Sequence, residues 1–223
     1  AVERLADMAG IPVPHSKHPD PAKAQQRKAV INILETTTRF FQDALRHNYG
    51  EAAASYIRNR RLAAETISTY RLGYAPRAGL RAALAARGYS DAEMLAAGVI
   101  RKSERDGALF DYFRDRVMFP IENQQGNVIA FGARALGDAQ PKYLNSADGP
   151  TFSKRSILYG LVQARESLRR KLPLVVGEGY MDVIAIQQSG TAAAVAPLGT
   201  ALTEEQIGLL WKLHDEPILC FDG

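Results

Sequence analysis

LPLVVGEGYMDVIAIQQSGTAAAVAPLGTALTEEQIGLLWKLHDEPILCFDG, residues Leu172 to Gly223, contains three short apolar runs: Leu174-Val175-Val176, Ala193-Ala194-Val195-Ala196 and Ile218-Leu219-Cys220-Phe221. Each has the length of a buried strand. Two segments of helical periodicity separate them, giving the order strand–helix–strand–helix–strand. Strands joined through helices need a crossover, so this order predicts a parallel βαβαβ unit. Glu178 follows the first run and Asp222 the third. Both acids therefore stand at carboxyl ends of strands, where open parallel sheets place their chemistry. Gly177 and Gly179 flank Glu178 and leave room for a close approach. Asp182 is four residues on, one helical turn above Glu178 and on the same side.

Three carboxylates converging at one sheet edge repel one another unless cations neutralise them. Hard oxygen donors suit Mg²⁺ or Mn²⁺, which keep several waters and bridge to substrate phosphates. Two such ions can activate an attacking oxygen and stabilise a leaving one at phosphorus. The same acids have a purely structural reading. Glu178 and Asp182 would then favour the positive end of a helix, and Asp222-Gly223 would be an ordinary turn. Spacing leaves both readings open.

Upstream, a short helical stretch from Val2 to Met8 and a Pro-punctuated run to Pro21 read as the tail of a preceding domain plus a linker (residues 1–21). Apolar residues Ile31, Leu34, Phe41 and Leu45 predict a helix from Ala22 to about Asn48. Further helices are expected over Glu51–Asn59, Ala63–Tyr70, Gly79–Arg87 and Asp91–Ala97, the last capped by Ser90 three residues before Glu93. Val117-Met118-Phe119-Pro120-Ile121 and Val128-Ile129-Ala130-Phe131-Gly132 flank a polar loop with Gly126, the pattern of a β-hairpin. Pro120 places the first strand at an edge or a bulge. A helix over Val162–Lys171 leads into the acidic module.

Charge divides the chain. Residues 1–171 hold 27 Lys+Arg and 17 Asp+Glu, a net of +10, whereas residues 172–223 hold one basic residue and seven acids, a net of −6. A basic part beside an acidic part suggests a polyanion held by one and cations held by the other. Arg114 and Arg116 alternate around Asp115 and would share one face of an extended segment. Arg134 closes the hairpin, and Lys142, Tyr143 and Asn145 offer a cation, a stacking ring and an amide. The Arg58/Arg60/Arg61 cluster reads as a solvated face. Cys220 is expected to be a buried small hydrophobe and Trp211 a core residue. Thr203 with Gln206 reads as a capping box. No Cys/His cluster has zinc spacing and no apolar run approaches a membrane span, so the expectation is a cytoplasmic protein with no membrane partner.

The string Val176-Gly177-Glu178-Gly179-Tyr180-Met181-Asp182-Val183, then Ala196-Pro197-Leu198-Gly199-Thr200-Ala201-Leu202-Thr203, then Phe221-Asp222-Gly223, resembles the Toprim module of bacterial replicative primases of the DnaG type. Phe113-Arg114-Asp115-Arg116-Val117-Met118-Phe119-Pro120-Ile121, the Phe131-Gly132-Ala133-Arg134 corner, Pro141-Lys142-Tyr143-Leu144-Asn145-Ser146 and Leu72-Gly73-Tyr74-Ala75-Pro76 resemble that family's basic subdomain. The resemblance implies an α/β architecture: an α+β basic subdomain over residues 22–171, followed by a Toprim-type parallel βαβαβ module over 172–223. It implies a DNA-dependent RNA polymerase that makes short RNA primers on single-stranded DNA from ribonucleoside triphosphates, at the bacterial replication fork. Glu178, Asp182 and Asp222 would be its catalytic acids, with Glu178 and Asp222 as metal ligands. Arg114, Arg116, Arg134, Lys142, Tyr143 and Asn145 would contact template or nucleotide. Asp222 resembles the first Asp of an Asp-x-Asp pair, and the sequence stops before the second, so the chain is expected to be a piece of a longer protein, inactive by itself. Zinc and the replicative helicase are expected only in separate N- and C-terminal domains. A Toprim nuclease or topoisomerase, or a degenerate nucleic-acid-binding scaffold, are the competing readings.

Overall fold

The structure, a computed structural model, describes residues 20–199 and 201–221. The expected Val2–Met8 helix, and Asp222, lie outside these residues. The first helix, α1 (Pro21–Arg46), starts with Pro at its first turn and Asp20 as N-cap, the Asp20 carboxylate accepting from Ala22 N at 3.0 Å. Its buried stripe runs Val30, Ile33, Leu34, Thr37, Phe41, Ala44. A 3₁₀ turn (Asn48–Gly50) leads to α2 (Glu51–Asn59) and α3 (Ala64–Thr69), then β1 (Gly73–Ala75). Two short helices follow, α4 (Leu80–Ala85) and α5 (Asp91–Ala96), the latter with the reciprocal Ser90/Glu93 capping box. A ribbon of β2 (Ile100–Lys102) and β3 (Leu109–Asp111) precedes the hairpin β4 (Arg116–Glu122) and β5 (Val128–Ala135).

The hairpin is the centre of a four-stranded antiparallel sheet, β1-β4-β5-β6, with β6 spanning Tyr143–Asn145. Pro120 lies in an interior strand, yet its missing N–H does no harm. β1 pairs only with Arg116, Val117 and Met118, so β4 is locally an edge at Pro120, and a register shift follows at Ile121/Glu122. Pleat alternation gives the sheet two different faces. One face carries Met118, Phe131 and Ala133 and packs on α1 through Phe41, Leu34 and Val30. Phe41 meets Phe131 edge-on, with centroids 5.4 Å apart. The other face carries Val117, Phe119, Ile121 and Ala130 and packs against α2 and the C-terminal module.

That module begins with α6 (Leu161–Arg169) and alternates β7 (Leu174–Val176), α7 (Tyr180–Ser189), β8 (Ala193–Val195), α8 (Glu204–Leu213) and β9 (Ile218–Leu219). Its three strands are parallel in the order β8-β7-β9. The βαβαβ reading and the mixed α/β class therefore hold. One face of this sheet forms a separate small core from Leu158, Leu161, Ala164, Leu174, Val176, Ala193, Val195 and Leu210.

Two expectations fail here. Trp211 is 66% exposed. The buried stripe of α8 is Gln206 and Leu210, with Gln206 donating to the carbonyls of Lys154 and Ile157, and Trp211 lies one step round the helix from it. Cys220 is exposed. It follows β9, which among the described residues pairs only with β7 and whose Ile218 and Leu219 are themselves exposed.

Candidate active site

From β7 the chain runs first to β8 on one side and only later to β9 on the other, so its direction across the sheet reverses at β7. Such a reversal opens a crevice at the carboxyl ends of the strands on either side of the switch, because the two connections leave the sheet in opposite directions. Glu178 stands at the end of β7, and Phe221 stands beyond β9, whose extension is held by Cys220 N donating to Val176 O at 2.9 Å. A cleft of about 480 Å³ occupies this position, lined by Glu178, Pro197, Gly199, Ala201, Leu202 and Phe221. Glu178 is exposed at its mouth.

Asp182 makes the helix-start contact that one of its two readings predicts. It is the third residue of α7, and its Oδ2 accepts from Gly179 N at 3.1 Å, completing half of a capping box. Among the described residues no three acidic, His or Cys side chains come together as a metal-holding group.

Tyr180, two residues after Glu178, joins the two modules. Its ring stacks on Phe119 at 4.8 Å and 10°, and meets Tyr159 edge-on at 4.7 Å. It passes over Gly132 so closely that a Cβ there would lie 2.1 Å from the ring. The hydroxyl reaches Asn145 Oδ1 at 2.6 Å, and Asn145 Nδ2 donates to Leu198 O at 3.1 Å. Burial, and secondarily Tyr143, pushes the Tyr180 phenol far above its ordinary range, so the hydroxyl stays protonated.

Directly opposite residues of an antiparallel pair share a face, and the register pairs Val117 with Arg134, Arg134 with Tyr143 and Gly132 with Asn145. Arg134, Tyr143 and Asn145 therefore share the face that meets Tyr180. The Arg134 guanidinium lies over the Tyr56 ring at 4.2 Å, its Nη1 donates to Ala135 O, and its buried Nε has no hydrogen-bond partner among the described residues. The Arg60 guanidinium lies over the same ring at 5.5 Å. Arg60 is exposed, as the solvated-face reading of its cluster expects, and the placement of Tyr56 on α2 puts the same ring under both guanidinium groups. Tyr143 is 45% exposed, and Lys142 is exposed in the turn before it.

Arg114 and Arg116 do not share a face. Asp115 between them has φ +52°, which turns the chain out of an extended path. Its carboxylate accepts from Tyr74 Oη at 2.9 Å and Arg77 Nε at 2.5 Å. Arg116 is buried in the sheet and donates to Pro141 O at 2.8 Å, which places it in support of the turn before β6. Burial lowers its pKa. Arg114 stacks over Phe110 at 4.8 Å and lines another cleft, of about 630 Å³, together with Arg77 and Arg81. That cleft shares no lining residue with the one beside Glu178.

Comparison with known proteins adds to this geometry. Residues 40–165 match the family described as DNA primase catalytic core, N-terminal domain, and residues 173–223 match the Toprim domain. The DNA primase of Pseudomonas putida is 41% identical over 228 positions, covering 100% of this chain and 34% of the relative. The chain thus spans about a third of the length of this curated relative. Among solved structures, a DnaG primase catalytic domain bound to single-stranded DNA superposes with a TM-score of 0.80 at 38% identity, covering 90% of this chain and 65% of that one. A DNA primase domain from Pseudomonas aeruginosa gives a TM-score of 0.79 at 42% identity, covering 87% of this chain and 61% of that one.

Proposed function

This chain belongs to the DNA primase family, and we propose that it forms the nucleotidyl-transfer core of a DNA-dependent RNA polymerase that lays short RNA primers on single-stranded DNA. The observation that carries this reading is the Tyr180 junction. It sets an acidic, strand-end cleft against a sheet face bearing Arg134 and Tyr143, with Arg60 beside them. Template backbone and nucleotide phosphates are polyanions, and the cations of that face hold them through charge, while the exposed Tyr143 ring offers a base a stacking surface. The neighbour solved with single-stranded DNA supports the choice of template. Ribonucleoside triphosphates are assigned as the second substrate. The helicase partner and zinc belong, on this reading, to regions of the longer family proteins outside these residues.

The donors fit a hard divalent ion in kind, since the cleft is lined by Glu178 with its oxygen donors and, among the described residues, by no thiol or imidazole. Glu178 would hold it, with Asp222 as the second ligand, and Mg²⁺ or Mn²⁺ when bound supplies charge neutralisation at the reacting phosphate. The reaction joins a ribonucleotide 3′-hydroxyl oxygen to the α-phosphorus of an incoming triphosphate and breaks the bond to pyrophosphate. Around it, this chain's own residues align and stabilise. Arg134, Arg60 and Lys142 hold negative charge in place, Tyr143 orients a base, and the apolar walls of Leu202 and Phe221 restrict water. Arg114 sits in the second cleft and extends the cationic track for template.

The test is primer synthesis by the full-length protein on single-stranded DNA with ribonucleotides and Mg²⁺. Glu178→Gln is expected to lower the rate by at least ~100-fold, the scale of losing a group that acts in the transition state, with unchanged DNA affinity. Full activity in that variant would overturn the assignment.

A further inference from the structure

Asn145 makes two hydrogen bonds within the protein, one from each end of its amide. Leu198 O can only accept, so the amide nitrogen must face it and Oδ1 must face Tyr180. The Tyr180 hydroxyl is then the donor, and both ends of the amide are engaged within the protein. We propose that Tyr180 and Asn145 are positioning residues that fix the Leu198–Gly199 loop, and hence the wall of the Glu178 cleft, relative to β5 and β6.

Three further observations support this. Tyr180 follows Glu178 by two residues, so both side chains hang from one short backbone segment between β7 and α7. Gly199 lines the cleft at φ +74°, and a Cβ on it would lie 3.3 Å from Asn145 Nδ2, so the loop is fitted closely to the amide. The Tyr180 ring is locked from the other side by Phe119, Tyr159 and the open surface of Gly132, which leaves the hydroxyl one place to point. The link crosses from the Toprim module to the basic sheet and back, and its two hydrogen bonds involve half-buried or buried atoms, where loss of a partner is felt most.

This inference rests on the reading of the Glu178 cleft as the place of nucleotidyl transfer, so the experiment has one arm that does not depend on activity. In the full-length protein, Tyr180→Phe, Asn145→Ala and the double variant would be compared by hydrogen exchange of the Leu198 and Gly199 backbone amides, by single-stranded DNA affinity, and by kcat and KM for nucleotide. The expectation is about tenfold faster exchange in that loop and a kcat lower by about tenfold in either single variant, as for a small misplacement of reacting groups. DNA affinity should be unchanged, and the double variant should be no worse than the poorer single one. Unchanged exchange in both singles would overturn the tie whether or not the protein makes primers. Faster exchange with unchanged kcat would overturn its catalytic relevance. A weaker DNA affinity or raised KM in Asn145→Ala, with Tyr180→Phe silent, would return Asn145 to direct contact with the ligand.

Discussion

Asp182 and Arg116 each make a hydrogen bond within the protein that supports local structure. The Asp182 carboxylate caps the Gly179 N–H, and Arg116 holds the Pro141 carbonyl from within the sheet. Arg134 and Arg60 instead lie over one tyrosine ring near the surface that meets the acidic module. The two classes of arginine separate in a salt titration. Arg134→Ala should weaken single-stranded DNA binding and reduce the slope of log K against log salt by about one, because one fewer counterion is released. Arg116→Ala should leave that slope unchanged and lower stability by about 1–2 kcal/mol, read from denaturant unfolding, since a partly buried hydrogen bond to the Pro141 carbonyl is lost. Equal slopes in the two variants would refute the distinction.

At the scale of elements, the antiparallel sheet has one face for α1 and one for α2 and α7, and Gly132 is where the second contact is closest. A methyl group there would overlap the Tyr180 ring. Gly132→Ala should therefore cost about 1–3 kcal/mol through overpacking, seen as a lower thermal midpoint. Small-to-large changes on solvent-facing turns such as Gly126, where a Cβ would meet nothing within 4 Å, lack this steric cause. β9 marks the opposite extreme. It is the exposed edge of the parallel sheet, and its apolar residues contribute little to the core of the described chain.

Across the whole molecule, Arg71 ties α1 to the hairpin. It pairs with Glu35 at 2.5 Å and with Glu122 at 3.4 Å, all three side chains being largely buried. Burial pushes the Glu35 carboxyl up, but hydrogen bonds from Arg71 and Val128 N–H and the charges of Arg71 and Arg39 outweigh it and hold the pKa below its ordinary 4.5. A lowered carboxyl stabilises the fold fully above its ordinary value and loses that contribution as pH falls through the lowered one. Glu122 has the opposite sense: burial dominates and raises it, so its ionisation costs stability as pH rises through the raised value. Glu35→Gln should thus be destabilised by about 1–3 kcal/mol at neutral pH, and the difference from the parent should shrink as pH falls below the Glu35 pKa. A pH-independent difference in unfolding free energy would show that the charge is not responsible.

Local pattern carried a great deal of this. Period-2 and period-3.6 runs fixed the hairpin, the helices and the βαβαβ order, because those signals depend only on neighbours along the chain. The strand-end position of Glu178 followed from the same order. Exposure of Trp211 and Cys220 did not follow, because it depends on which stripe of α8 and which edge of the sheet find a partner. Nor did the turn at Asp115, whose carboxylate is bonded by Tyr74 on β1 and by Arg77 just after that strand, far away in sequence. The sequence by itself determined the helices, the hairpin, the βαβαβ order and the chemical types at the strand ends, but not the three-residue strands β1, β2, β3 and β6, which are too short to carry a period. Tertiary structure alone decided which cations lie over Tyr56 and which are buried supports, and it turned Asn145 toward Tyr180. Such choices depend on strand register and on close contacts between residues far apart in the chain, and no local periodicity encodes those distances.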